Sequence, residues 1–336
     1  MTPDGNAVDG APTAPLPLVD VVTPTNRSGE FLQHAVSTVL AQTHQRWHHH
    51  VIDTGSPDPA AVQAAIDAAI DADGDPERAR RRITVTRSAA RGISAGRNAG
   101  IAQGRGAYLA FLDDDDAWEP DFLERLVGAL EADPDATAAY SAGRYLDDDD
   151  ETIGSWSAQP ASRAELLSGA IPLPRIQALV VRRAVGERVG WFDERFPAAE
   201  DMDLICRFLI AGGMIADPRP LAFYRMHSSS ISRRLSADRI IWIATETFLG
   251  EHTRRARRAG DGALAAQITA NRKRARHHAA YGASHTIFRA LTTGRLGEAA
   301  LLTACGLRYA PLQFTVGSVR RIIAGLSRRL RRGTPS

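Results

Sequence analysis

The side chains best suited to chemistry sit directly after apolar runs. Asp113-Asp114-Asp115-Asp116 follows Tyr108–Leu112, Thr23-Pro24-Thr25 ends Leu18–Thr23, and Asp53-Thr54-Gly55-Ser56 follows Trp47–Ile52. Adjacent carboxylates repel one another unless a cation or solvent relieves them. Their hard oxygens suit Mg2+ or Mn2+, ions that can bridge a diphosphate. A second acidic run, Asp147–Asp150, lacks a helix start behind it and reads as an exposed hairpin tip. The first run lies between a buried strand and Trp118-Glu119-Pro120, a setting that a solvated turn does not need.

Strands and helices must alternate to hold those runs together. Leu18–Thr23, Trp47–Ile52, Ile83–Thr86 and Tyr108–Leu112 are apolar, β-rich segments. Between them lie helical patterns: Phe31–Leu40, Ala60–Ile70 and the Gly/Ala-rich Ser94–Gln103. Pro120 then precedes an apolar face of Phe122, Leu123, Leu126, Val127 and Leu130. This rhythm specifies an α/β domain with a mostly parallel sheet flanked by helices. Ligands of such sheets bind beyond the carboxyl ends of the strands, where the polar runs fall. Farther on, Ile176–Val181 and Leu221–Met226 read as strands and Ala199–Ala211 as a helix. From Ser236 the chain is almost wholly helical in pattern, with a boundary near Ser232.

Leu18–Pro120 resembles the nucleotide-sugar half of family 2 glycosyltransferases, whose fold is called GT-A. The resemblance rests on VVTPTNR (Val21–Arg27), STVLAQTH (Ser37–His44), VIDTGSPD (Val51–Asp58), SAGRNAGIAQGRGAYLAFLDDDDAWEP (Ser94–Pro120) and AAEDMDL (Ala198–Leu204), with PLAFYRMHSSSIS (Pro220–Ser232) after them. Their order and spacing cover roughly two-thirds of the chain. The resemblance implies a GT-A-type domain over 18–232, divided into a nucleotide-sugar half (18–120) and an acceptor half (121–232). Residues 1–17 would be a disordered leader, and 233–336 a helical C-terminal extension. It also implies inverting transfer of a hexosyl or related group from a nucleotide-diphosphate sugar donor. The acceptor would be the hydroxyl of a saccharide, a lipid-linked glycan or another molecule.

Carried over by position, Thr23 and Thr25 belong to the loop that contacts the nucleotide, and Asp53 meets the base or ribose. Arg97 matches a basic position near the nucleotide. Asp113 and Asp115 form the Asp-x-Asp metal pair for Mg2+ or Mn2+, Asp115 as the direct ligand, while Asp114 contacts ribose. Asp201 falls on the catalytic base. One departure concerns Thr54, which stands where the family often has a second Asp and supplies no charge for base recognition. Independently, transfer requires a carboxylate outside the metal cluster, free to take a proton. Glu200-Asp201-Met202-Asp203, at the start of an apolar helix, meets that need. Helix capping alone also explains acids there.

Lys and Arg number 41 against 39 Asp and Glu, a balance unlike that of a dedicated nucleic-acid binder, so no nucleic-acid partner is expected. The two cysteines, Cys206 and Cys305, fit neither a disulfide scaffold nor a zinc module, and Cys206 reads as core. Met1–Pro17 has no signal-peptide pattern, and no apolar run is long enough for a membrane span, so a cytoplasmic location is expected. His48-His49-His50 splits between the two faces of a strand and makes a poor metal site. His227 follows the last strand and is a candidate for reaching the diphosphate or metal. In Val316–Arg332 an apolar stripe runs beside a dense Arg face, which suits either packing on the domain or peripheral docking on an anionic inner-membrane surface. Two other readings compete. A sugar-phosphate nucleotidyltransferase wants a Gly-rich loop after the first strand, and Thr23–Arg27 offers none. A non-catalytic sugar-nucleotide-binding protein has no need of intact Asp113, Asp115 and Asp201.

Overall fold

A computed structural model describes residues 16–89, 91–196, 199–226, 248–292, 294 and 296–309. The expected leader therefore lies almost wholly outside the described residues, as do His227 and Val316–Arg332. The β-branched runs form β1 (Val19–Thr25), β2 (Trp47–Asp53), β3 (Ile83–Arg87) and β4 (Tyr108–Phe111). They align in parallel in the order β3-β2-β1-β4. Register pairs Thr25 with Asp53 and Val22 with Phe111, so the polar runs after β1, β2 and β4 share one edge. Helix α1 (Glu30–Leu40) buries Leu32, Ala35, Val36 and Val39 on this layer. Helix α2 (Pro59–Asp71), capped by the Asp58 carboxylate on the Ala60 and Ala61 amides, buries Val62, Ile66 and Ile70. A short helix, α3 (Pro76–Arg80), leads into β3.

Helix α4 (Ile93–Gln103) carries little apolar surface and packs through its glycines. A Cβ on Gly100 would lie 2.5 Å from Val22 Cγ1, and one on Gly96 2.6 Å from Thr54 Cγ2. Only glycine permits that approach, and it sets Arg97 against the polar edge. At the opposite end of β1, buried Asp20 accepts hydrogen bonds from His50, the Gly106 amide and Arg183. Burial works against its ionisation, but these donors hold the carboxyl below its ordinary value.

Beyond β4 the sheet becomes mixed, in the order β4-β8-β6-β9-β5 with β7 beside β6. Strand β5 (Ala117–Trp118) precedes α5 (Phe122–Ala132), which buries the apolar face expected of it. Strands β6 (Ala138–Leu146) and β7 (Thr152–Trp156) form a hairpin around Asp147–Asp150, so that run is a turn, as expected. Helix α6 (Arg163–Ser168) opens with a capping box of Ser162 and Glu165. The expected strand Ile176–Val181 begins instead as a 3-10 turn, Ile176–Ala178, and becomes β8 only over Leu179–Arg182. Helix α7 (Arg183–Val189) follows, then α8 (Glu200–Ala211). The last strand, β9 (Met214–Arg225), is longer than Leu221–Met226. Its prolines, Pro218 and Pro220, coincide with register shifts against β6, because proline has no amide to give the ladder.

Three helices follow, Phe248–Arg258, Gly262–Thr292 and Leu296–Tyr309. Leu249, Ala256, Leu264, Ala265 and Ile268 share one core with Leu204, Cys206 and Phe208 of α8. The helical region thus begins as part of the α/β domain's own interior. The His252 ring and Arg207 both bond the Asp203 carboxylate behind α8, at 2.8 and 2.7 Å. Burial opposes the Asp203 charge, yet His252 and Arg207 hold its carboxyl below the ordinary range. In His252→Ala, buried Asp203 loses a donor, and unfolding free energy should fall by about 1–3 kcal/mol. An unchanged denaturation midpoint at constant m-value would show that the link contributes nothing.

Candidate active site

The turn after β4 is closed by a hydrogen bond from the Asp116 amide to the Asp113 carbonyl. Exposure alternates along it: Asp113 and Asp115 are half-buried, while Asp114 and Asp116 are buried. Side-chain exposure is 23% for Asp113 and 14% for Asp115, against 8% for Asp114. The x residue of Asp-x-Asp therefore turns inward and its neighbours outward.

Three arginines supply the counter-charge. Arg27, in the loop after β1, donates to both Asp114 and Asp115. Arg97 donates to Asp113 at 2.7 Å and to Glu200 at 3.0 Å. Arg225, at the end of β9, gives its amide to Asp116 and its Nε–H to the Asp115 carbonyl. Its two remaining nitrogens reach the Asp147 carbonyl and the Asp150 carboxylate, so the second acidic run is tied to the first. Burial raises the Asp114 carboxyl above its ordinary value, despite Arg27. Burial and then the charges of Asp115 and Asp113 push Asp116 up well beyond it.

Asp201 lies in the first turn of α8, with Glu200 and Asp203. The residue before them, Ala199, has φ 64° and ψ 24°, a left-handed conformation that L side chains adopt at a cost of about 1–3 kcal/mol. The strain sits where the chain delivers these acids to the polar edge. The acids then diverge: Glu200 joins Arg97, Asp203 joins His252 and Arg207, and Asp201 accepts from the Met202 amide. Among the described residues Asp201 forms no ion pair within 4 Å. Burial raises its carboxyl above the ordinary value, with the Arg97 charge pulling the other way. In its ionised form a carboxylate of raised proton affinity can accept a proton, here close to an ion-paired acidic turn.

The other expected residues divide between the site and the sheet interior. Thr25 donates to Asp114 at 2.5 Å, joining the first loop to the acidic turn. Thr23 is fully buried, and its hydroxyl bonds His49 at 2.8 Å inside the sheet rather than facing the loop. Burial lowers His49 to about 3, so that ring is neutral. Asp53 is buried and accepts from the Gly55 and Ser56 amides, the Ser56 hydroxyl and Arg87. Its carboxylate shapes the turn after β2, and Thr54 spends its hydroxyl on the Thr25 carbonyl. Arg97, 1% exposed, is hydrogen-bonded to Asp113 and Glu200 from beneath the site. Asp116, Glu200, Arg27 and Arg225 lay outside the expected site set. Acidic Asp116 and Glu200 were signalled by their neighbours; Arg27 and Arg225 lie within VVTPTNR and PLAFYRMHSSSIS, but nothing local indicates that they pair with acids far along the chain.

Residues 20–178 match the profile described as glycosyl transferase family 2. The chain is 30% identical to the succinoglycan biosynthesis protein ExoO of Rhizobium meliloti over 70% of its own length and 68% of that protein. The chain belongs to glycosyl transferase family 2. An uncharacterised glycosyltransferase of Nostoc is a second relative of this family member, 28% identical over 63% of the chain. The chain spans 66% of the length of that Nostoc protein, and only 20% of a matching Sinorhizobium fredii protein. Among solved structures, the mannosyltransferase PcManGT of Pyrobaculum calidifontis, in complex with GDP-Man and Mn2+, aligns over 96% of this chain and 89% of its own. The TM-score is 0.54 and the identity 19%, so the two share the GT-A fold. No described helix of this family 2 member is long and apolar enough to cross a membrane.

Proposed function

We propose that this chain transfers a glycosyl group from a nucleoside-diphosphate sugar to an acceptor hydroxyl, inverting the anomeric carbon. The observation that carries the reading is Asp201, a carboxylate with raised proton affinity set beside the acidic turn of a GT-A fold. In one displacement the acceptor oxygen bonds to the anomeric carbon as the bond to the diphosphate oxygen breaks. Asp201 takes the acceptor proton, and the nucleoside diphosphate leaves with the bonding electrons. Glu200 and Asp113 anchor Arg97 beneath this site, which fixes α8 relative to the acidic turn. Arg27 and Thr25 hold Asp114 and with it the nucleotide-facing loop; the Asp53 turn lines the base end. Asp113 and Asp115 would hold Mg2+ or Mn2+: both are outward, oxygen-only ligands, and Mg2+ commonly takes one or two carboxylates plus substrate phosphates. Such an ion supplies charge neutralisation to the departing diphosphate.

A panel of sugar nucleotides offered with Mg2+ or Mn2+ should identify at least one donor by release of nucleoside diphosphate. With a hydroxyl acceptor, NMR of the product should show the opposite anomeric configuration. Retention of configuration, or tight nucleotide binding without turnover of any donor, would overturn the reading.

A further inference from the structure

The guanidinium groups of Arg27 and Arg97 pair with carboxylates of the acidic turn and that of Arg225 with Asp150; Arg175 pairs with no carboxylate within 4 Å among the described residues. It stands just before the 3-10 turn that leads into β8. Its guanidinium carbon lies 5.0 Å from the Tyr145 ring centre and 5.2 Å from those of Trp156 and Tyr224. Its hydrogen bond among the described residues runs to the Tyr145 hydroxyl.

The sheet builds this enclosure. Tyr145 of β6 and Tyr224 of β9 are in-register partners, and their rings meet nearly perpendicular at 6.1 Å. Trp156 of β7 closes the third side, 5.2 Å from Tyr145. Gly143, opposite Trp156, provides its seat, since a Cβ there would fall 2.1 Å from the indole. Arg175 and all three aromatic residues are half-buried, which leaves the cluster partly open. The Arg175 charge also acts on the Asp201 carboxyl, so the cluster adjoins the proposed base.

A guanidinium stacked among rings has its orientation fixed, while its N–H edge stays available to an anion. Such an edge matches phosphate or carboxylate in a bidentate fashion. Flat aromatic faces suit the apolar face of a sugar ring. We infer that Arg175, Tyr145, Trp156 and Tyr224 form the acceptor subsite, where the guanidinium binds a phosphate or carboxylate of the acceptor and the rings carry its sugar. The inference rests on the proposed transfer to an acceptor and names that acceptor's chemistry: an anionic glycoside. Its anion has two sources, the phosphate of a phospho-linked glycan or the carboxylate of a uronic acid.

Direct binding tests this without turnover. Full-length protein, saturated with UDP and GDP plus Mn2+ to fill the donor side, is titrated calorimetrically with methyl glucoside, glucose 6-phosphate and methyl glucuronoside. At least one anionic probe should bind wild type about tenfold more tightly than methyl glucoside. Which one does so identifies phosphate or carboxylate as the source. Arg175→Gln should abolish that preference by weakening the anionic probe far more than methyl glucoside. Arg175→Lys, which keeps charge but not the planar fork, should retain part of it, and Trp156→Ala should weaken all three probes. Equal binding of neutral and anionic probes to wild type overturns the inference, as does a preference that survives Arg175→Gln in folded protein. Because no chemistry is read, failure here leaves the donor and base assignments standing, and failure of transfer leaves this binding result intact.

Discussion

In Asp201→Asn, glycosyl transfer should fall by about 10²- to 10⁴-fold while donor affinity stays close to wild type. The amide keeps the shape of the side chain and can still accept from the Met202 amide, but it cannot take the acceptor proton. The pH behaviour comes from the same carboxyl. Burial raises it above its ordinary value, the Arg97 charge opposing, and activity needs the ionised form. Wild-type kcat/KM should therefore fall as pH drops through that raised value, and the variant should lose this limb. Stability runs the other way. A group whose proton is held more tightly in the folded state stabilises most at low pH, and that contribution is lost as pH rises through the folded value. Above that folded value the ionised Asp201 is a net cost, so there the Asn variant should melt at or above the wild-type temperature. A variant that transfers at nearly wild-type rate places the proton elsewhere. One whose donor affinity collapses makes Asp201 a donor-binding residue.

Local chemistry made residues 18–120 legible. Val19–Thr25, Trp47–Asp53 and Tyr108–Phe111 are strands because β-branched and aromatic residues run unbroken there between turn signals. A parallel sheet then forces their polar ends to one edge, so the polar residues just beyond each strand already mark the site. The hidden parts depend on partners distant in sequence. Arg27 and Asp114 are separated by 87 residues, and Arg225 and Asp116 by 109. No periodicity reports such a pair. The acidic turn accordingly looked like a charge excess awaiting a cation, whereas arginines already balance much of it. Thr23 illustrates the limit of position matching. It stands two residues inside the end of β1, so its hydroxyl meets His49 of β2 within the sheet, while Thr25, on the same face at the strand's last position, reaches the site.

Residues 121–232 were less legible for a different reason. Their strands are mixed in direction, and β9 crosses two prolines that blur any strand pattern. Helix α7 was not expected at all, because Arg183–Val189 offers barely two turns of apolar spacing. The membrane-facing reading of Val316–Arg332 concerns residues outside those described. The earlier helices bear on it in one way: Leu249, Leu264 and Ile268 are buried in the domain core, so the helical region starts from a rigid anchor.

Asp115→Asn and chelation should impair the protein alike, since both act on the cation proposed for the diphosphate. Losing one charge-stabilising contact at the reacting centre costs about 10²- to 10³-fold in kcat. Folding should hardly notice. Asp115 pairs with Arg27, whose side chain is 33% exposed and which keeps Asp114, so the loss is within about 1 kcal/mol. Asp113→Asn provides the contrast. It strips a partner from Arg97, 1% exposed, and leaves Glu200 as the ion-pair partner of that buried charge among the described residues. Stability should then fall by about 1–3 kcal/mol together with activity. A metal role thus predicts equal catalytic losses and unequal stability losses for the two aspartates, with added Mn2+ restoring chelated wild type but neither variant fully. Full turnover by wild type in excess chelator would remove the cation from the reaction. Arg27, whose side chain is 33% exposed, would then be the group able to release its carboxylates and meet the departing diphosphate, and Arg27→Gln would become the damaging substitution.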